Sequence, residues 1–400
     1  MSQRHREQRA DFTGGYNSRD KESRLRDSES PDMMNVIVEK RGTIGPRPGT
    51  LRYIDDPVSD PMEVGGQNPP VTSLYEFVTR AGVGHFMAFA GTSLNVVNAL
   101  GGWTTLEAAL TENSLLEFVT NPVVDLALFV NGADGYWETD GTAGNTSEVE
   151  PYKTLYEGVV DTNNLAITWV SGDKFELTWA GEIIIINDVA YTVDAVADDE
   201  NLTILASAGV QNGVDYSHTT EDGVDVGNCI IPGKPKYIEY HNYRVWLANV
   251  EGFPDRVYFS VEDVDGNSLY NYFTAWSWLR AANSKGEAIT AIKSYKGSLY
   301  VFTPTTIKVI TGTAIDDLAM SDVSNTVGCV AQRSVRVIGG NLIFLGLDGV
   351  YVFDGTSAPF KVSQRVEPTF KDIRQDYWSQ ICAIVYEGKY LLSMPVTYGG

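Results

Sequence analysis

One hairpin signal recurs along the chain and limits what it can fold into. An apolar or aromatic strand meets a tight turn carrying Gly or Asn, then resumes with aromatic and branched residues. It is written at 88–94 (AFAGTSL), 128–132 (LFVNG), 239–246 (EYHNYRVW), 295–302 (YKGSLYVF), 338–344 (IGGNLIF) and 386–391 (YEGKYL). Successive turns lie roughly 40 to 55 residues apart, apart from one gap of about 110, and a period of that size with four strands per unit marks propeller blades. Outer strand pairs follow the first in at least two units, at 306–312 and at 348–355, where Asp348-Gly349 is a tight-turn dipeptide. The expected fold is all-β: a β-propeller-like ring of four-stranded blades, with a β-sandwich or tandem β-domains as the competing architecture.

The long gap holds an insertion. Between 163 and 217 short strands at 175–178, 182–186, 190–196 and 201–205 are separated by Asn187-Asp188 and by Asp198-Asp199-Glu200, and they read as a small β-barrel or sandwich. Before the first blade, residues 1–52 carry turn formers in place of a helical or strand period, so they form an extended N-terminal arm with one short strand at 34–38. The expected division is therefore arm 1–52, first blades 53–162, inserted domain 163–217 and remaining blades 218–400. The last hairpin stops at MPVTYGG, so the final blade is expected to be incomplete. Helix is scarce, with Leu74–Arg80, Thr104–Leu110 and Val366–Tyr377 as the best candidates.

Charge and composition exclude several function classes. The chain's 400 residues exceed what one hydrophobic core usually serves, and 43% of them are hydrophobic. No apolar run reaches the length of a membrane span, and the N-terminus has no apolar signal core, so the expectation is a protein made in a cytoplasm. A net charge of -22 argues against a groove that grips phosphates. The arm is Arg-rich against an acidic body, the pattern of a docking segment on a globular unit. Cys229, Cys329 and Cys382 are widely spaced and read as small buried hydrophobes; the four His form no metal-binding spacing.

No nucleophile beside a base, carboxylate pair or metal cluster stands out, so no catalytic residue, cofactor or metal is assigned and the chain is expected not to be an enzyme. The acidic stretch 220–226 lacks the order of a calcium loop and reads as solvated. The aromatic run 270–278 reads as interblade core, with sugar or base stacking as the alternative.

The arm also carries a resemblance. Phe12-Thr13-Gly14-Gly15-Tyr16-Asn17-Ser18-Arg19-Asp20, then 25–36 (LRDSESPDMMNV), Arg41-Gly42 and Arg47-Pro48-Gly49 resemble the arm of tail proteins of short-tailed bacteriophages. Residues 286–302 and 327–335 (VGCVAQRSV), with 348–353, resemble the core of the same family, the tail nozzle or tail hub proteins that stabilise packaged DNA. The inserted module resembles small β-domains of phage tail, fibre and spike proteins.

The resemblance implies a virion tail protein assembled in the host bacterial cytoplasm. It implies a homo-oligomeric ring, commonly sixfold, that contacts the tail adaptor and other tail proteins such as fibres or spikes. Its channel would retain the packaged genome and pass it at ejection without specific DNA binding. Arm docking would then fall to Gly14, Gly15, Asn17, Arg19, Asp20, Pro31, Asp32, Asn35, Arg41, Gly42, Arg47, Pro48 and Gly49. The acidic balance suits a lumen wall that repels phosphate, provided the sheets close around an axis and turn that charge toward a hole. The alternatives are a receptor-binding or fibre-like tail protein that recognises host glycans, and a carbohydrate-active propeller enzyme.

Overall fold

A computed structural model describes residues 69–395 apart from 100, 151–154, 220–230, 263–268, 275, 316, 372 and 374, together with four short strands in the arm. Its described residues divide into two compact units, one of 1–149, 232–270 and 277–400 and one of 150–231 with 271–276.

In the first unit, alternating apolar runs broken by two-residue turns become antiparallel sheets of consecutive strands. The first sheet is Val71–Val78, Gly84–Ala90, Ser93–Val97 and Trp103–Glu107; the second is Glu117–Asn121, Leu126–Val130, Tyr136–Thr139 and Thr146–Glu148. The third is Pro235–His241, Arg244–Val250, Phe253–Phe259 and Trp278–Arg280, and the fourth is Ala291–Tyr295, Ser298–Phe302, Ile307–Thr311 and Ala319–Ser324. The fifth is Arg336–Ile338, Asn341–Gly346, Gly349–Phe353 and Phe360–Lys361, and the sixth pairs Cys382–Tyr386 with Lys389–Ser393. Five four-stranded sheets of this kind are propeller blades in form, as the hairpin period predicts.

The turns explain the register. Tyr295 pairs with Ser298 across Lys296 and Gly297, both at positive φ (48° and 75°), the conformation that matches the twist of the flanking strands. Packing then stacks the sheets. In the strand Ser298–Phe302, Leu299 and Val301 bury against Trp246 and Ala248 of the third sheet. Tyr300 and Phe302, on the opposite face, bury against Phe344 and Phe353 of the fifth. A sheet buried on both faces has to lie between two others, and this is why the second strands are almost continuously apolar.

The second unit is a closed six-stranded barrel in the order Leu155–Asn163, Ala166–Gly172, Asn201–Ile204, Val189–Asp198, Ile183–Ile186 and Val210–Thr219. Val160, Ile167, Ile184, Ile186, Val193, Leu202 and Tyr216 fill it, with Trp179 brought in by the short 3-10 turn Leu177–Trp179. The barrel begins earlier than the expected boundary at 163. Residues 155–163 pair with 166–172 and with 210–219, so their bonding partners lie in the module and not in a blade.

Two expected helices are strands. Leu74–Arg80 falls largely within Val71–Val78 and Thr104–Leu110 overlaps Trp103–Glu107, because branched and aromatic residues favour a pleated surface and each segment has a neighbouring strand to pair with. The third, Val366–Tyr377, contains the helix Glu367–Lys371 and overlaps the 3-10 segment Gln375–Gln380. In the arm, the strand expected at 34–38 is Val36–Val38, antiparallel to Ile44–Pro46, while Gly15–Tyr16 runs parallel to Glu29–Ser30.

Candidate functional site

The first strand of each of the six sheets just described borders a common cavity of about 440 Å³. Tyr75, Glu117, Glu239, Lys293, Arg336 and Cys382 each come from a different sheet and all line it, so the six sheets are arranged around one axis. A second cavity of about 390 Å³ is lined by Asn131, Lys236, Asn249, Thr290 and Trp378 among others. The two cavities share Glu117, Gln332 and Arg333. These residues form a polar layer between two mouths.

Arg333 dominates that layer. It lies in the 3-10 turn Gln332–Ser334 between the fourth and fifth sheets, and its guanidinium crosses to the first and second. Nε donates to Glu117 Oε1 at 2.8 Å, Nη1 to the Thr72 carbonyl at 2.6 Å, and Nη2 to Ser73 Oγ at 2.7 Å and the Leu116 carbonyl at 2.8 Å. A planar five-donor group suits this fan of acceptors as a lysine would not. Beside it, the Gln332 amide accepts from Ile292 N–H (2.8 Å) and donates to the Ile292 carbonyl (3.1 Å), extending the inner strand of the fourth sheet as one more rung.

The loop before the turn is built to hold it. Cys329 is fully buried and donates its thiol to the Ala331 carbonyl, and burial pushes that thiol up to about 11, so it is inert. Ser334 Oγ donates to the Ala331 carbonyl and accepts from Leu345 N–H. At Gly328 a Cβ would overlap the Thr303 carbonyl oxygen and the Thr306 nitrogen, so this close approach requires glycine.

Across the cavity Lys293 Nζ lies 2.8 and 2.9 Å from the two carboxylate oxygens of Glu239. Burial raises the Glu239 pKa above the ordinary carboxylate value; the Lys293 charge and hydrogen bond oppose this, and the Glu117 charge adds to it. The hole is therefore lined by Glu117, Glu239, Lys293, Arg333 and Arg336 and is not a wall of acid. This corrects the expectation that the acidic balance faces the hole: buried carboxylates need partners, and the inner strands supply them.

His241 Nδ1 lies 2.8 Å from Ser294 Oγ, and burial lowers the His241 pKa, yet among the described residues no carboxylate orients its other ring nitrogen. Among the described residues no group of three or more His, Cys, Asp or Glu is placed to hold a metal ion. No helix among them is long and apolar enough to cross a membrane.

The residues singled out by sequence are scattered. Gly15 sits in the strand Gly15–Tyr16; Gly14, Asn17, Arg19, Asp20, Pro31, Asp32, Asn35, Arg41, Gly42, Arg47, Pro48 and Gly49 lie outside the described residues, as do Cys229 and the stretch 220–226. Cys382 is exposed, contrary to the buried role expected of it, because it opens its strand at the cavity. In the aromatic run, Tyr272 and Phe273 are buried but Trp276 is 84% exposed. Gln332 and Arg333 fall inside the recognised run 327–335, yet nothing in their spacing shows that they point at an axis.

No protein-family model matches the chain, and no curated protein matches it. Among solved structures, a protein from Lactobacillus plantarum aligns at 14% identity and a TM-score of 0.34, covering 82% of this chain and 91% of that one. A virginiamycin B lyase from Staphylococcus aureus aligns at 11% identity and a TM-score of 0.33, covering 81% and 92%. Hsv2 from Kluyveromyces lactis aligns at 9% and 0.28, covering 74% and 76%. Likeness at this level is distant and carries no argument about what this chain does.

Proposed function

We propose that the chain is a structural subunit of the tail of a short-tailed bacteriophage, a nozzle or hub protein that assembles with copies of itself around the path of the genome. The supporting observation is what the recognised run 327–335 does in the fold. Its Gly328 permits a close backbone crossing, its Cys329 and Ser334 tie a turn, and its Gln332 and Arg333 fill the axis. A part of the sequence that resembles the nozzle family serves architecture, as a scaffold protein's signature should.

The same layer constrains where DNA could run. A sphere of about 440 Å³ is roughly 9 Å across, while the major groove of B-DNA alone is about 12 Å wide. The propeller's own hole is too small for a duplex and is blocked by Arg333. In this proposal the conduit lies between copies, and the net charge of -22 keeps its wall from adhering to phosphate. The arm, Arg-rich beside an acidic body, is the segment that reaches a neighbouring copy or the adaptor.

Native mass spectrometry of the purified full chain, together with quantitative immunolabelling of phage particles, tests the reading. A closed oligomer and a fixed copy number at the tail are expected. A strictly monomeric protein that never enters particles would sink it.

A further inference from the structure

The third sheet holds one arginine in place and gives it, among the described residues, no carboxylate. The sheet's last strand, Trp278–Arg280, pairs with Phe253–Phe259 on one side and, among the described residues, with nothing on the other. Arg256 stands opposite Arg280 and Tyr258 opposite Trp278, which puts these four side chains on one face of the strand pair. The Arg256 guanidinium lies over two aromatic rings, 4.0 Å from the centroid of Phe253 and 3.9 Å from that of Trp278. Phe253 is exposed and Arg256 and Trp278 are half-buried, so the face is open to a partner.

The donors of this guanidinium are almost unused. Nη1 approaches Tyr258 Oη at 3.5 Å, too long for a good hydrogen bond. The adjacent Asp255 carboxylate is taken by Arg280, whose Nε lies 2.5 Å from its Oδ2. Arg244 and Arg333, by contrast, each have a carboxylate of this chain, Glu262 at 3.2 Å and Glu117 at 2.8 Å. A guanidinium held by stacking loses little further freedom on binding, and its planar edge suits a carboxylate through two parallel N–H bonds.

Charge says what that edge meets. With 52 acidic residues against 30 basic ones, two copies of the chain repel each other over most of their surface and attract where a cation of one meets a carboxylate of the other. A second copy therefore offers the complementary group in excess, whereas duplex DNA meets the same surplus of negative charge as repulsion. Arginine and tryptophan are also the residue types that carry most of the binding energy at protein interfaces.

We propose that the stack of Phe253, Arg256 and Trp278 is a subunit contact, in which the guanidinium edge takes an Asp or Glu carboxylate of a second copy of this chain. The inference rests on the self-assembly proposed above and adds the residues that make the contact.

Analytical ultracentrifugation and isotope-mixed cross-linking of the full chain test it. The parent should assemble, and Arg256→Gln, which removes the charge, should raise the dissociation constant by about tenfold or more. Lys174→Gln, which removes a surface cation already paired with Asp199 and Glu200 of its own chain, should leave it unchanged. Where Arg256→Gln does not fold, Arg256→Lys keeps a charge beside the rings and supplies an amine. Treated with a zero-length carbodiimide, that amine in unlabelled chains should form an amide with an Asp or Glu of isotope-labelled chains. A monomeric parent removes the assembly and this contact with it. An oligomer that Arg256→Gln leaves intact, an amine that couples only within its own chain, or duplex binding that Arg256→Gln abolishes overturns the contact alone.

Discussion

At the scale of single residues, the structure turns on a few positions where close packing or burial leaves no alternative. Gly328 is one: adding a methyl group drives it into backbone atoms that cannot swing aside, so Gly328→Ala should cost about 1–3 kcal/mol or more in urea denaturation. Glu239 is another, and its effect depends on pH. Burial raises its folded pKa, so its stabilising contribution is complete below the unfolded carboxylate value of about 4.3 and is lost as pH rises through the folded value. Relative to Glu239→Gln, the parent should therefore lose stability steadily as unfolding is measured from about pH 4 to about pH 8. Parallel curves for the two proteins would show that Lys293 compensates the buried carboxylate fully. In the barrel, Trp179 is fully buried among Tyr156, Phe175 and Tyr216, and Trp179→Ala should cost about 3–5 kcal/mol, read as lost amide protection in Ile183–Ile186.

At the scale of elements, hairpins were the legible part. Turns such as Lys296-Gly297 write their φ requirement into residue type, and strands such as Ser298–Phe302 write their double burial into an unbroken apolar run. The segments at 74–80 and 104–110 look helical in sequence because they are short and mixed, and only pairing partners distant in sequence decide them; Tyr75, for instance, lies across from Met87. The barrel boundary is not legible in the sequence for a similar reason. Residues 155–163 look like any blade strand until their partners at 210–219 are known. The axial layer was the least legible, since Glu117, Glu239, Lys293 and Arg333 come from four separate stretches and meet only because each occupies or adjoins an inner strand. Charge pairing across a propeller axis has no sequence period.

At the scale of the whole molecule, an axis lined by paired charges contrasts with a net charge of -22. In the proposed role, the hole of the single subunit serves stability and the conduit lies in the assembly. A duplex DNA oligonucleotide should show no binding in fluorescence anisotropy even at low salt, where electrostatic attraction would be greatest; saturable binding would mean that a basic groove exists despite the net charge of -22. The most direct measurement is an electron cryo-microscopy map of the assembled oligomer. The expected map shows several copies around a central lumen wide enough for a duplex, with Arg333 of every copy away from that lumen on its own subunit's axis. A map in which the genome path runs through the position of Arg333, or in which a single copy stands alone, would contradict the account.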